Sequence, residues 1–343
     1  MIYRSKNRVL LRPKHVKGAK PVESAELGFG TRPTYSGQRL VRQDGTFNVR
    51  RIGERQNFFG NAFHSLVTMK WSKFFIMLFI VFICTNLLFA TVYYLLGVEY
   101  MHGLIGESFF DQFSEAFFFS TQTLTTLGYG RISPIGFGTS LVAAIESMLG
   151  LLSFAMATGL LYGRFSHPDA NIIYSKNAVI SPYRGGRGLM ARIANGRRNQ
   201  LIELEALMIL SRNELLENGG LKRKFYTLEL ELQRVSVLAS SWTIVHPINE
   251  SSPLFGYTRE EMMAGDSEVM IQIKAYDETY SQTVYSRSAY IHNEIIYGAK
   301  FVSAIATDDD GMNVLDLEKI DAFDLAELPS IEIPAPEFTP KNF

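Results

Sequence analysis

The stretch TTLGYG, Thr125 to Gly130, lies within FFFSTQTLTTLGYGRISP and offers backbone oxygen as its chemistry. Glycine tolerates both signs of φ, so Gly128 and Gly130 allow a run of carbonyls to turn toward one side. Thr126 adds a hydroxyl at the inner end, while Leu127 and Tyr129 are expected to point away and pack against the helix before them. Carbonyls left without partners in an apolar medium are costly, unless an ion takes the place of the partner. Potassium sheds its water only where other oxygens replace it at similar distances. Four copies of such a loop, each turning its carbonyls to one axis, would supply those rings. A lone G-Y-G occurs in ordinary turns, so the meaning of this one depends on the elements that hold it.

Those elements are apolar. Phe74–Leu96 reads FFIMLFIVFICTNLLFATVYYLL, 23 residues without a charge, roughly 35 Å of helix against a hydrocarbon core of about 30 Å. A second run, Thr139–Gly163, has Glu146 as its one charge. A carboxylate at the centre of a lipid-exposed helix costs about 2.5–3.5 kcal/mol, so Glu146 should face protein or water and have a partner or a proton. Between the spans, SFFDQFSEAFFFSTQT is too short to cross, with Ser108 placed to cap it. It reads as a half-membrane helix returning outward through the loop, its negative dipole end aimed at an inner cavity. The pattern predicts an outer helix at 73–97, a pore helix at 108–123, a filter at 125–130 and an inner helix at 138–165.

Charge sets the orientation. The chain has 343 residues and a formal net charge of +0, yet 15 Lys/Arg and four acids precede Phe74, whereas between the spans Arg131 stands alone against Glu99, Glu107, Asp111 and Glu115. This asymmetry puts both termini in the cytoplasm. The neutral balance gives no bias toward nucleic acid. Phe59, Phe63 and Leu66 at helical spacing predict a short amphipathic helix, within 55–70, lying on the inner membrane face. The single Cys84 excludes an intrachain disulfide, and no signal peptide is apparent. His15, His64, His102, His167, His246 and His292 are scattered without metal spacing or a nucleophile elbow, which disfavours an enzyme.

After Pro168 the apolar runs shorten. GLMARIA, LIELEALMIL and FYTLELELQRV alternate, separated by turns such as YRGGRG, which is the signature of strands in a sandwich. TREE after SPLFGY reads as a capping box on Thr258 and Glu261. Glu203 and Glu205, two apart, share one strand face.

Taken together, TTLGYG, RLVRQDGTFNVRRIG, IIYSKNAVIS, LMARIANGRRNQLIELEALMIL and WTIVHPINESSPLFGYT resemble an inward-rectifier potassium channel, most closely its bacterial branch, over residues 35–325. The resemblance implies a homotetramer with one pore, no cofactor beyond potassium ions held by the carbonyls of Thr126, Leu127, Gly128, Tyr129 and Gly130, and a location in the inner (plasma) membrane. It implies a cytoplasmic immunoglobulin-like β-sandwich at 166–330, preceded by an N-terminal segment, 1–54, with a strand near 39–50 and followed by a tail at 331–343. Animal members carry an acid where Gln122 stands and a basic partner at the position of Ile132, so Glu146, with Gln122 and Thr125, is expected to support the filter instead.

On the inner helix Ser147, Leu151, Phe154, Thr158 and Tyr162 fall on one face, as a helix–helix packing stripe also would; the resemblance makes that face the pore lining. Phe154 and Tyr162 are candidate hydrophobic constrictions, and Gly150 and Gly159 are candidate flex points or close-packing glycines. Phe154 replaces an acid that attracts blockers, so block by polyamine or magnesium in the cavity should be weak. Glu203, with Glu205, would line the cytoplasmic pore. Lys70, Trp71, Lys73, Arg164 and His167 are candidates for anionic lipid headgroups. Two other readings stay open on residues alone: a membrane-anchored ligand-sensing β-domain, and a less selective cation channel.

Overall fold

The computed structural model describes residues 39–50, 52, 58–166, 170–216 and 220–330, with the side chains of 58–61 excepted. They fall into two units, one within residues 52–167 and one within residues 1–51 and 168–343.

The first unit is helical. Helix α1 (Phe58–Thr68) leads to α2 (Trp71–Leu96), a short strand β1 (Met101–His102), α3 (Phe109–Leu124), strand β2 (Ser133–Pro134) and α4 (Gly136–Phe165). The helices described lie within two residues of the expected outer, pore and inner helices; of the expected amphipathic helix, residues 55–57 lie outside the described residues. Both α2 and α4 are long and apolar enough to cross a membrane, and only 17% and 11% of their most apolar windows are buried. A core helix of a water-soluble domain would be covered, so these faces belong in lipid or against other copies. Ser108 caps α3 by accepting from the Asp111 N–H at 3.2 Å. Asp111 in the first turn adds a favourable charge at the helix N-terminus. The inward faces of α2 and α3 meet through Ala90, Tyr93, Ala116 and Phe119.

The second unit is a β-sandwich. Its strands are β3 (Ile172–Tyr174), β4 (Ala178–Tyr183), β5 (Gly186–Asn195), β6 (Leu201–Leu215), β7 (Leu221–Leu228), β8 (Arg234–Val237), β9 (Ser241–Ile248), β10 (Glu268–Asp277), β11 (Gln282–Ile291) and β12 (Ile295–Tyr297). One five-stranded sheet runs β11-β10-β6-β7 with β8 also on β6; the other runs β12-β4-β5-β3 with β9 on β5. Leu204, Ala206, Met208 and Leu210 from the first sheet and Leu189, Ala191, Ile193 and Ile244 from the second close one apolar core. The YRGGRG turn joins β4 to β5 through Arg184 and Gly185, both at positive φ, as a hairpin requires. The capping box on Thr258 and Glu261 starts the short helix α5 (Arg259–Ala264).

Three expectations are corrected here. FYTLELELQRV is not one strand: β7 ends at Leu228, the chain turns to bond Glu231 N–H to the Val245 carbonyl, and β8 begins at Arg234. The segment near 39–50 is not a strand but a tight turn. Asn48 N–H bonds the Leu40 carbonyl at 2.9 Å, and only Val41 and Phe47 bridge. Val41 is buried among Ile209, Phe225, Met270 and Ala289 on the outer face of the first sheet, and the buried Glu268 carboxylate accepts the N–H groups of Leu40 and Val41. Local backbone bonds close the turn, and tertiary contacts fix it on the sheet. Finally, the period of two in β6 breaks at Glu203, whose φ is 50°. Glu205 pairs with Lys274 but Ile202 with Tyr276, so Glu203 belongs to a bulge and simple alternation does not set its direction.

Candidate functional site

The loop Thr125–Gly130 leaves α3 through a helix-ending motif. Thr126 N–H bonds the Thr123 carbonyl at 3.1 Å and Leu127 N–H bonds the Gln122 carbonyl at 2.8 Å, the paired pattern that closes a helix when the next residue is left-handed. That residue is Thr126, at φ 60°. A β-branched residue there costs about 1–2 kcal/mol relative to glycine. Such strain concentrates at functional sites. Gly128 and Gly130 follow at φ 52° and 82°, so the sign of φ is positive at both glycines that the pattern requires. Thr125 bonds its hydroxyl to the Thr121 carbonyl at 2.7 Å and is held to the helix, not the loop.

Leu127 and Tyr129 are left mostly uncovered by their own chain. They are 56% and 75% exposed, which corrects the expectation that α3 of the same chain covers them. The physical reason is the helix-ending turn, which carries the loop off the α3 surface.

Behind the pore helix lies a buried polar network that links three helices. Glu146 of α4 is fully buried. It accepts from the Tyr93 hydroxyl of α2 at 2.6 Å and meets the Ser120 hydroxyl of α3. Ser120 Oγ also lies 3.0 Å from Asn86 Oδ1, and Asn86 Nδ2 donates to the Phe82 carbonyl at 2.7 Å. The lone intramembrane acid thus has the partners its cost demands. Tyr93, Ser120 and Asn86 were not singled out from sequence; the only signal was that Glu146 needed partners somewhere. Gln122 contributes its carbonyl to the loop rather than its side chain to this network, and Ile132 is buried in the apolar cluster of α2 and α3.

On α4, Leu151, Phe154 and Tyr162 are 63%, 74% and 75% exposed in the single chain, with Ser147 half-buried. The Thr158 hydroxyl is bonded to the Phe154 carbonyl at 2.9 Å. Gly150 is a packing glycine and not a hinge: a Cβ there would collide with the Leu124 carbonyl oxygen at the end of α3. Gly159 has nothing within 4 Å of a Cβ position.

Arg164 is corrected more sharply. It is 8% exposed, and its guanidinium donates to the carbonyls of Leu66, Val67 and Met69 at the end of α1, with Val67 at 3.1 Å and Met69 at 2.5 Å. It also lies 4.5 Å over the Trp71 ring and 4.6 Å over Phe74. The C-terminal carbonyls of a helix lack internal partners and attract a cation, so this arginine caps α1 rather than presenting its charge to headgroups. Lys70, Trp71 and Lys73 remain exposed; His167 lies outside the described residues.

In the β-domain an open groove is lined by Glu203, Glu205, Arg234, Lys274, Tyr276 and Thr283. Glu205 pairs with Arg234 at 2.9 Å and approaches Lys274 at 3.8 Å, and the hydrogen bond from Arg234 holds its carboxyl below the usual range. Glu203 has no ion pair among the described residues, and no cluster of three His, Cys, Asp or Glu with metal-binding geometry occurs among them. The two acids therefore differ: Glu205 is paired with bases, and Glu203, among the described residues, is not.

Comparison with known proteins adds independent findings. Residues 172–339 match the family described as Inward rectifier potassium channel C-terminal domain, and residues 80–166 match the family described as Ion channel. The chain is 35% identical over 291 residues to Inward rectifier potassium channel Kirbac3.1 of Paramagnetospirillum magnetotacticum, covering 84% of this chain and 97% of that protein. It is 26% identical to ATP-sensitive inward rectifier potassium channel 12 of Gallus gallus, over 77% of this chain and 66% of that one. It is 24% identical to Inward rectifier potassium channel 18 of Homo sapiens, over 81% and 70% respectively.

Proposed function

The chain belongs to the inward-rectifier potassium channel family, and on that premise we propose that it conducts potassium passively and selectively through a pore formed by four copies of itself. The observation that carries this reading is the Thr125–Gly130 loop, with positive φ at Thr126, Gly128 and Gly130, leaving a pore helix between two membrane spans. Four such loops facing one axis would present the carbonyls of Thr126, Leu127, Gly128, Tyr129 and Gly130 as successive rings for dehydrated ions. Neighbouring copies would cover Leu127 and Tyr129, whose exposure in one chain has no other use.

Each further part follows from a stated feature. The Glu146 network braces the pore helix from behind, as its buried links to Tyr93 and Ser120 suggest. Phe154 and Tyr162, two turns apart on α4, close the conduit by dewetting, with Gly159 as a flex point. Phe154 supplies no charge, so polyamine or magnesium block in the cavity is weak. Glu203 concentrates cations in the cytoplasmic part of the pore, with Glu205 contributing less because Arg234 neutralises it. Lys70, Trp71 and Lys73 meet anionic headgroups at the inner face of the plasma membrane, and the excess of basic residues before the first span keeps both termini cytoplasmic.

The test is reconstitution of the purified protein in liposomes with rubidium uptake as the readout. Uptake that barium stops and sodium does not suppress is the expected result. Equal competition by sodium would refute the selective pore.

A further inference from the structure

The filter loop has two ends, and they are held differently. Its inner end is fixed by the bonds of Thr126 and Leu127 to α3. Past the Gly128 N–H, which bonds the Gln122 carbonyl at 3.3 Å, the same chain gives the loop little lateral cover: Leu127 and Tyr129 are exposed, and nothing lies within 4 Å of the Cβ positions at Gly128 and Gly130. Its geometry therefore depends on where the outer end is anchored.

That anchor begins at Arg131, the residue bonded to Gly130. Arg131 Nη1 donates to Glu115 Oε1 at 3.0 Å and lies 3.5 Å from the Gly103 carbonyl. The other oxygen of Glu115 accepts the Ile105 N–H at 2.9 Å. Glu115 belongs to α3, seven residues before Gln122, and its side chain is only 16% exposed. The backbone makes a second tie at the same place. Met101 pairs with Pro134, His102 with Ser133, and Ile135 N–H bonds the Tyr100 carbonyl at 2.7 Å. Gly103 packs so closely that a Cβ would collide with the Arg131 carbonyl oxygen. Pore helix, outer loop and filter exit thus converge on one carboxylate.

We propose that Glu115 and Arg131 act as a positioning pair that fixes the outer end of the filter, so that selectivity depends on this ion pair as well as on the loop. The proposal rests on the channel reading. A half-exposed pair contributes a factor of about two in an equilibrium, so four copies acting on one pore move the conducting form by roughly tenfold. The pair is on the outer side by the orientation that the charge asymmetry gives, where Arg131 is the only base between the spans.

The experiment compares wild type, Glu115→Gln, Arg131→Gln and the reversed pair Glu115→Arg/Arg131→Glu, each purified as the tetrameric peak and reconstituted for barium-blockable rubidium uptake with and without sodium. Either single variant should lose selectivity for rubidium over sodium by roughly tenfold, and the reversed pair should recover most of it. Arg131→Gln, at the more exposed position, serves if Glu115→Gln does not assemble. Single variants as selective as wild type would overturn the proposal, as would a loss that the reversed pair does not recover. Wild-type protein without barium-blockable uptake would instead overturn the channel reading itself.

Discussion

Removing the Tyr93 hydroxyl probes how the pore helix is held. Tyr93→Phe keeps the ring packed edge-on against Phe119, with centroids 5.0 Å apart at 76°, and deletes only the donor to Glu146 Oε2. A buried acceptor without its partner costs about 1–3 kcal/mol. If the four copies contribute independently, the assembly loses roughly 4–12 kcal/mol. Glu146→Ala removes both acceptors and leaves a void, so its cost is larger still. Glu146→Gln should behave differently, for a reason that lies in counting hydrogens. Ser120 has one hydroxyl hydrogen but faces both Asn86 Oδ1 and Glu146 Oε1, while Asn86 Nδ2 is committed to the Phe82 carbonyl. One of the two Ser120 contacts therefore needs a hydrogen from position 146, and a glutamine supplies it as an N–H. The assay is thermal unfolding of the detergent-solubilised channel in potassium, paired with the rubidium-to-sodium uptake ratio. The order expected is wild type close to Glu146→Gln, then Tyr93→Phe, then Glu146→Ala, in both readouts. Tyr93→Phe unfolding with wild-type midpoint and selectivity, or Glu146→Gln as damaging as Glu146→Ala, would refute the bracing argument.

Gly150→Ala should destabilise the protein by about 1–3 kcal/mol, because its methyl group meets the Leu124 carbonyl. Gly159→Ala should leave the unfolding midpoint near that of wild type and lower flux, which a flux assay on matched protein amounts checks. Arg164→Gln should lower thermal stability by about 1.5–3 kcal/mol through the lost carbonyl bonds without altering how flux depends on anionic lipid. The pair Lys70→Gln/Lys73→Gln should do the reverse, and vesicles of graded anionic content separate the two. His246 is 2% exposed, with Nδ1 2.6 Å from the Glu229 carbonyl and Nε2 2.7 Å from Ser252 Oγ. Burial pushes its imidazole below the usual histidine range, against a smaller opposite pull from Glu229. With the folded value depressed, the unfolded chain takes up the proton first. Stability from this group is full above pH of about 6.5 and falls as the pH drops from there toward the folded value. Urea unfolding of the full chain from pH 8 to 5 should show that decline, and His246→Asn should flatten it.

Local patterns predicted local structure well. Long apolar runs, one without a charge and one with Glu146 alone, gave α2 and α4 within two residues, Ser108 and Thr258 marked helix starts, and the TTLGYG glycines stood where positive φ was needed. What sequence could not give was contact between distant residues. Glu146 announced a need for partners, yet Tyr93 is 53 residues away and Ser120 is 26, and neither carries a signal of its own. As a base at a span's end, Arg164 would ordinarily mark a candidate headgroup ligand. Its carbonyl partners lie nearly a hundred residues upstream, visible only once α1 folds back on α4. Glu203 and Glu205 do line one groove, but a bulge at Glu203 and not simple alternation underlies that placement, an exception that the period of two does not reveal.

The central claim is that the carbonyls of Thr126 to Gly130 replace the hydration shell of potassium and not of sodium. The most direct measurement is the reversal potential of single channels in a planar bilayer with potassium on one side and sodium on the other. A reversal potential displaced strongly toward the potassium equilibrium potential, and lost on substituting Gly128→Ala, is the result this account predicts. A reversal potential near zero in open wild-type channels would contradict it.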